Sequence, residues 1–201
     1  MLKIENTEVM GWEHAIRGMR NPKNSWEKSD SGVCATHGPA HCADCVYTDC
    51  HADDVEIGTK YILGGDDLTL MTTLRNAGTD HRKFMRMITV YLDITAPLYW
   101  WKEFDTYKVG TVANSCSTNV HRDWFNNKVL DDPKIDWWQM IQLLPSSYNQ
   151  KRTVMLNYEV LANIYKSRRH HKLDEWHTLC DWIEGLPYSE LITGKEETAD
   201  V

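Results

Sequence analysis

The chain has 201 residues, 42% of them hydrophobic and 25% charged, with a formal net charge of -7 at pH 7. That length suits one domain with a real core, and the acidic balance excludes a general nucleic-acid binder, whose affinity rests on clustered Lys and Arg. No stretch approaches the ~18 consecutive apolar residues of a membrane span, and the opening MLKIENTEVMGWEH lacks the apolar core of a secretory leader, so the expectation is a cytoplasmic protein with no membrane partner. A small anionic ligand stays open. Nine Trp ask for a large aromatic core or for planar ligands stacked on rings.

Leu2 to Val9 predicts a first strand, and Trp12 to Met19 a short helix that stops at Asn21-Pro22. Asn24 to Gly32 reads as loop. Gly32 to His51, GVCATHGPAHCADCVYTDCH, then holds four of the six Cys and three of the nine His. With Gly38-Pro39 inside it and Asp49, Asp53 and Asp54 at its end, it reads as an insertion at about 32–54 in a single domain of residues 1–201. Cys42 and Cys45 make a C-x₂-C knuckle, and Cys34 and Cys50 complete four thiolates for a structural zinc, with His37 and His51 as substitutes. An unmetallated loop is the alternative. A cytosolic chain disfavours disulfides, and the spacing is not that of a standard finger, so the expected role is to staple the insertion rather than to catalyse.

Asp66 or Asp67 can cap a helix carrying Leu68, Met71 and Leu74 on one side, with Gly78 just past its end. Thr79 to Arg82 turns the chain into a central strand in which Ile88, Val90, Leu92 and Ile94 alternate with Thr89, Tyr91 and Asp93. The strand should end near Thr95, an N-cap for a helix from Ala96 to about Tyr107 with Pro97 in its first turn. Gly110 breaks that helix. Thr111 to Thr118, crowded with hydroxyls and amides, reads as a polar loop of the kind that presents ligand-binding groups.

Further on, His121 to Asn127 reads as helical, Asp131-Asp132-Pro133 as a turn, and Ile135 to Leu144 as a helix ended by Pro145. Val154 to about Arg169 has no Gly or Pro and reads as one long helix, with Asn157, Leu161, Ile164 and Arg168 on one face. Those residues span ~16 Å along a helix axis, so one face reaches two ends of an extended ligand. A final helix, capped by Asp174, turns Trp176, Leu179, Cys180 and Ile183 inward and stops at Gly185 and Pro187.

Leu144-Pro145, then Asn157, Arg168 and Glu175, together with Ala96-Pro97 after a strand, resemble the pattern of flavin-dependent thymidylate synthases, the ThyX family. Aligned without gaps, the family's RHRxxSxNxxSxR falls on Thr106, Tyr107 and Lys108, then Thr111, then Ala113 and Asn114, then Cys116 and Thr118. A shift of one brings Ser117 and Asn119 under the last Ser and Arg. In either register two arginines are missing, and Thr or Asn cannot replace their bidentate, permanently charged fork.

The resemblance implies an α/β fold of the α+β type, a mixed sheet with flanking long helices. It also implies reductive methylation of dUMP to dTMP with FAD, NADPH and methylenetetrahydrofolate, needing no cysteine nucleophile, in a homotetramer with sites between subunits. Arg168 becomes the catalytic candidate, holding the phosphate or the uracil of dUMP. His81, Tyr107, Lys108, Asn114 and Asn157 become candidates for the flavin, and Lys102, Glu103, Thr106, Thr111 and Ser117 join Arg168 as candidates for the substrate.

Plainer readings stand beside these. Arg168 suits a helix C-terminus as a solvated cation, and Asn157 in mid-helix asks only for some polar partner. Trp100, Trp101 and Tyr107 are core aromatics on this view; Thr111, Asn114 and Ser117 shape a turn, and Cys116 and Cys180 are buried thiols. Two other functions remain: a catalytically diverged nucleotide- or flavin-binding protein of the same fold, and a zinc-stapled interaction protein.

Overall fold

A computed structural model describes residues 2–34, 60–116 and 141–194. Cys42, Cys45, Cys50, Ser117, the expected helix at 121–127, the turn at 131–133 and most of the helix at 135–144 lie outside them. The chain divides into two compact units, one of Met1–Val9 with Thr89–Thr193, the other of Met10–Ile88 with Gly194–Val201.

The first unit is built on the alternation read from Ile88 onward. In β4 (Thr89–Pro97), Val90, Leu92, Ile94 and Ala96 are buried while Tyr91, on the opposite face, is exposed. The strand stands second in a four-stranded sheet of order β1-β4-β6-β5, with β1 covering Lys3–Met10, β5 Val112–Cys116 and β6 Asn149–Asn157. β6 runs antiparallel to β4 from Thr89↔Asn157 to Pro97↔Asn149, and β5 runs antiparallel along the other edge of β6. Asp93 sits in mid-strand because it is fully engaged: it accepts from Thr153 at 2.6 Å and Asn6 at 2.8 Å, with Lys151 at 3.4 Å, and these contacts hold its carboxyl below the usual range.

Helices α3 (Leu98–Phe104), α4 (Tyr158–Arg168), α5 (Asp174–Glu184) and α6 (Glu190–Thr193) belong to this unit. Trp100 lies 4.9 Å from Trp176, 5.0 Å from Phe104 and 5.1 Å from Trp101, all of them buried. Trp100, Trp101 and Trp176 are therefore core rather than ligand platforms. Trp176, Leu179, Cys180 and Ile183 face inward as the spacing predicts, and burial raises the Cys180 thiol to about 11, an inert group.

Five expectations change. β4 runs past Thr95 to Pro97, where the missing N–H costs little because the strand is ending, and the backbone of Leu98 and Tyr99 bonds on to Tyr148 and Ser146. The helix after it is correspondingly short, closing at Phe104 with Asp105 as C-cap, so Tyr107 lies beyond it. Thr111–Thr118 is no loop at its start, for β5 occupies Val112–Cys116, a polar edge strand with a register shift between Ala113 and Cys116. The long helix expected from Val154 is instead β6 followed by α4, since Val154 and Leu156 alternate with Thr153 and Met155 in burial as a strand requires. Asp174 is the first helical residue of α5 rather than its cap, and α5 is followed by α6.

The second unit holds α1 (Trp12–Arg20), α2 (Gly65–Asn76) and a ribbon of β2 (Gly32–Cys34) paired antiparallel with β3 (Lys60–Ile62). Neither Asp66 nor Asp67 caps α2. Asp30, from the loop before β2, accepts the backbone N–H of both at 2.9 and 3.0 Å, and Gly64 allows that approach because a Cβ there would meet Asp30 at 2.1 Å. Asp67 is thereby freed for the interior, where it takes Arg20 Nε at 2.6 Å and the hydroxyls of Ser29 and Ser31 at 2.7 Å each. Burial alone would raise its carboxyl, but those donors outweigh it and the net shift is downward.

Candidate functional site

α4 organises the site by its two ends. Asn157 is its N-cap, with φ -130° and ψ 168°, and its Oδ1 accepts the Val160 N–H at 3.0 Å. That answers why a poor helix former stands there: it starts the helix instead of interrupting it. Leu161 and Ile164 on the same face are completely buried, so no ligand lies along the whole face and the two ends are separate places.

At the first end, Gly110 holds φ +83°, and a Cβ there would come within 3.0 Å of Val160 Cγ2 and 3.2 Å of Asn157 Nδ2. Only glycine takes that backbone without strain. Thr111 beside it has a buried hydroxyl with no hydrogen bond among the described residues. Asn157→Ala should cost about 1 kcal/mol through the lost cap, read as a lower unfolding midpoint in urea; an unchanged midpoint would remove the capping role.

At the second end, Arg168, the last residue of α4, donates through Nε to the Tyr107 hydroxyl at 2.9 Å and through Nη1 to Glu103 Oε2 at 2.8 Å. Its guanidinium lies 4.6 Å from the centre of the Trp176 ring, a cation–π distance. The same Glu103 oxygen accepts Trp176 Nε1 at 3.0 Å and has His171 Nε2 at 3.5 Å. His171 Nδ1 accepts the Leu173 N–H, which puts the proton of a neutral ring on Nε2, the nitrogen nearer Glu103. Behind this cluster, Tyr99 donates to Glu175 at 2.5 Å and pins the start of α3 to the first turn of α5. That acceptor pushes the Tyr99 phenol up to about 12.

The structure thus brings together Arg168, Glu103 and Tyr107, and separately Asn157 with Gly110 and Thr111. The segment from Tyr107 to Gly110 touches both ends of α4. Lys102, Thr106 and Lys108 are exposed, and the Thr106 hydroxyl donates to the Glu103 carbonyl at 2.7 Å. Asn114 is exposed on β5. His81 belongs to the second unit, exposed, just before a 3₁₀ turn at Arg82–Arg86. Cys34 ends β2, and among the described residues no group of three His, Cys, Asp or Glu is placed to hold a metal ion. His171 and Trp176 were missed as site members. The signal for Trp176 was its indole N–H, which a buried position obliges to find an acceptor. Arg152 was missed too, held by Asp105 at 3.0 Å with its guanidinium 4.2 Å from the Trp101 ring centre.

The architecture is that of the flavin-dependent thymidylate synthases, a mixed α/β fold. Thymidylate synthase X from Helicobacter pylori, solved with FAD and dUMP, superposes with a TM-score of 0.61 at 12% identity, over 96% of this chain and 98% of that one. A UMP/dUMP methylase, PolB from Streptomyces cacaoi, solved with 5-Br dUMP, gives a TM-score of 0.55 at 10% identity over 92% and 88%. No family model and no curated protein matches the sequence. Among the described residues no helix is long and apolar enough to cross a membrane.

Proposed function

We propose that the chain binds a uracil nucleotide beside a flavin and acts as a flavin-dependent methyltransferase, converting dUMP to dTMP with methylenetetrahydrofolate and NADPH. The observation that carries this reading is the Arg168 cluster, set at one end of a helix that Asn157 opens, in a fold shared with a thymidylate synthase X solved with FAD and dUMP.

One observation supports a polar cofactor group at the first end of α4: Thr111 keeps a buried hydroxyl without a hydrogen bond among the described residues. Bound there, FAD would supply the reducing equivalents for the methyl group. The chain's own work is binding and orientation. Arg168, fixed in direction by Tyr107, Glu103 and Trp176, offers a preorganised donor to the nucleotide, and exposed Lys102 and Lys108 are the cations left for its phosphate. A homotetramer would add cations from neighbouring subunits in place of the missing signature arginines.

A second reading, binding without turnover, is favoured by one observation: Thr106, Tyr107 and Lys108 stand where the family signature has Arg-His-Arg. Purified protein separates the two. Flavin absorbance that bleaches on NADPH, followed by dTMP formation from dUMP, is the expected result. Flavin or dUMP bound without product would support the second reading, and a colourless protein with no affinity for either would overturn both.

A further inference from the structure

We propose that Arg152 is a positioning residue: it closes the neck of the segment from Asp105 to Cys116 and so holds Tyr107, Gly110 and Thr111 against the two ends of α4. On β6, Arg152 shares a face with the buried Val154 and Leu156, so its side chain runs along the inner side of the sheet toward α3 instead of out to water. That side chain is 19% exposed. Its guanidinium lies 4.2 Å from the centre of the Trp101 ring, while Nη1 donates to Asp105 Oδ1 at 3.0 Å and Nη2 to Gln150 Oε1 at 3.2 Å. A cation with a ring beneath it and an oxygen at each terminal nitrogen is held in one orientation.

Asp105 is the C-cap of α3 and stands in the chain between Glu103 and Tyr107, the two residues bound to Arg168. The turn is thus gripped alternately, at 103 and 107 by the arginine that ends α4 and at 105 by the arginine of β6. The far end of the segment returns to the same residue, for in the β5–β6 ladder Cys116 is the backbone partner of Arg152. One residue therefore meets both ends, through its side chain at Asp105 and through its backbone at Cys116, which is the closed-neck form of a compact loop. Inside that loop Tyr107 and Gly110 touch the two ends of α4. The Thr106 N–H donates to the Glu103 carbonyl at 3.1 Å and the Tyr107 N–H to the Phe104 carbonyl at 3.0 Å, bonds that shape the turn without fastening it to the sheet. The pair of Asp105 with Arg152 does fasten it.

Amide hydrogen exchange on the unliganded full chain tests the closure, and binding of dUMP and FAD tests its bearing on the site, this second arm resting on the functional reading above. Arg152→Met keeps an apolar stem over Trp101 and removes the charge. Protection of the Thr106 and Tyr107 amides should then fall roughly 3- to 30-fold, the combined strength of a partly exposed ion pair and a cation–π contact. The Gly185 and Leu186 amides, bonded at the end of α5, should keep theirs. Arg152→Lys should restore part of the lost protection, since an ammonium still pairs with Asp105 but cannot lie flat on the ring. Asp105→Asn, at a side chain 48% exposed, should loosen the same two amides and serves if Arg152→Met fails to fold. Unchanged protection in both Arg152→Met and Asp105→Asn overturns the closure. Where the parent binds dUMP or FAD, Arg152→Met should weaken at least one of them by about 3-fold or more, because apparent affinity scales with the fraction of molecules that hold the binding arrangement. Loosened amides with both affinities unchanged would make Arg152 a structural residue only and overturn the positioning role. A parent that binds neither ligand overturns that role together with the functional reading, whereas the exchange result still decides whether Arg152 closes the segment.

Discussion

Asp67→Asn should destabilise the second unit by about 3–5 kcal/mol, the usual cost of breaking a buried ion pair from one side. The substitution keeps the shape and removes the charge, leaving Arg20, with a side chain 6% exposed, without its carboxylate and weakening the acceptor shared by Ser29 and Ser31. In a chain of this length each kcal/mol moves the thermal midpoint by roughly 2–4 °C, so the shift is easily read by calorimetry. The pH dependence carries a sign. The Asp67 carboxyl is depressed in the folded state, so its contribution is fully present above the unfolded value of about 3.9 and is lost as pH falls through the lower folded value. The gap between parent and Asp67→Asn should therefore be widest near neutrality and close in acid. A gap that stayed constant down to pH 2 would mean that the carboxylate charge is not what stabilises this interior.

Arg168→Ala should weaken dUMP binding by roughly 10- to 150-fold, the worth of a hydrogen bond to or from a charged group. Its effect on stability should be far smaller, about 1 kcal/mol, because Glu103 keeps the Trp176 N–H and is itself open to water. Arg168→Lys should not restore binding, since an ammonium cannot reach Tyr107 and Glu103 from one rigid plane while offering a further donor. Titration of each variant with dUMP, alongside urea unfolding, separates the two effects. Equal affinity in variant and parent would leave Arg168 as a structural cation at a helix end.

What the sequence made legible follows from how strongly local pattern and tertiary environment agree. β4 and α5 were readable because each buries one clean face, at period two in Val90, Leu92 and Ile94 and at helical spacing in Trp176, Leu179, Cys180 and Ile183. β6 and α4 fused into one helix because nothing of Gly or Pro stands between them. The boundary marker, Asn157, was visible but was read as a mid-helix oddity when its cap role was the simpler account. β5 escaped because its outward residues, Val112, Ala113 and Asn114, show no apolar alternation; it exists only by pairing with β6.

The same logic holds for the site. Arg168, Asn157, Tyr107 and Glu103 were all singled out, but their partners come from α5 and from the turn between α4 and α5, distances no linear spacing encodes. Asp67 shows the opposite failure. Its position invited a capping role, and only the folded chain shows that Asp30 fills that role from 36 positions away, leaving Asp67 for the core.

The ribbon of β2 and β3 has a consequence for how this scaffold tolerates change. Cys34 and Lys60 are direct partners across it, so the two stumps of the Cys/His-rich segment leave the body within about 5.5 Å of each other, the span of a paired residue in an antiparallel ladder. A two-residue hairpin turn closes such a gap. Replacing residues 35–59 by such a turn is therefore expected to leave the Gly32↔Ile62 and Val33↔Tyr61 pairing in register.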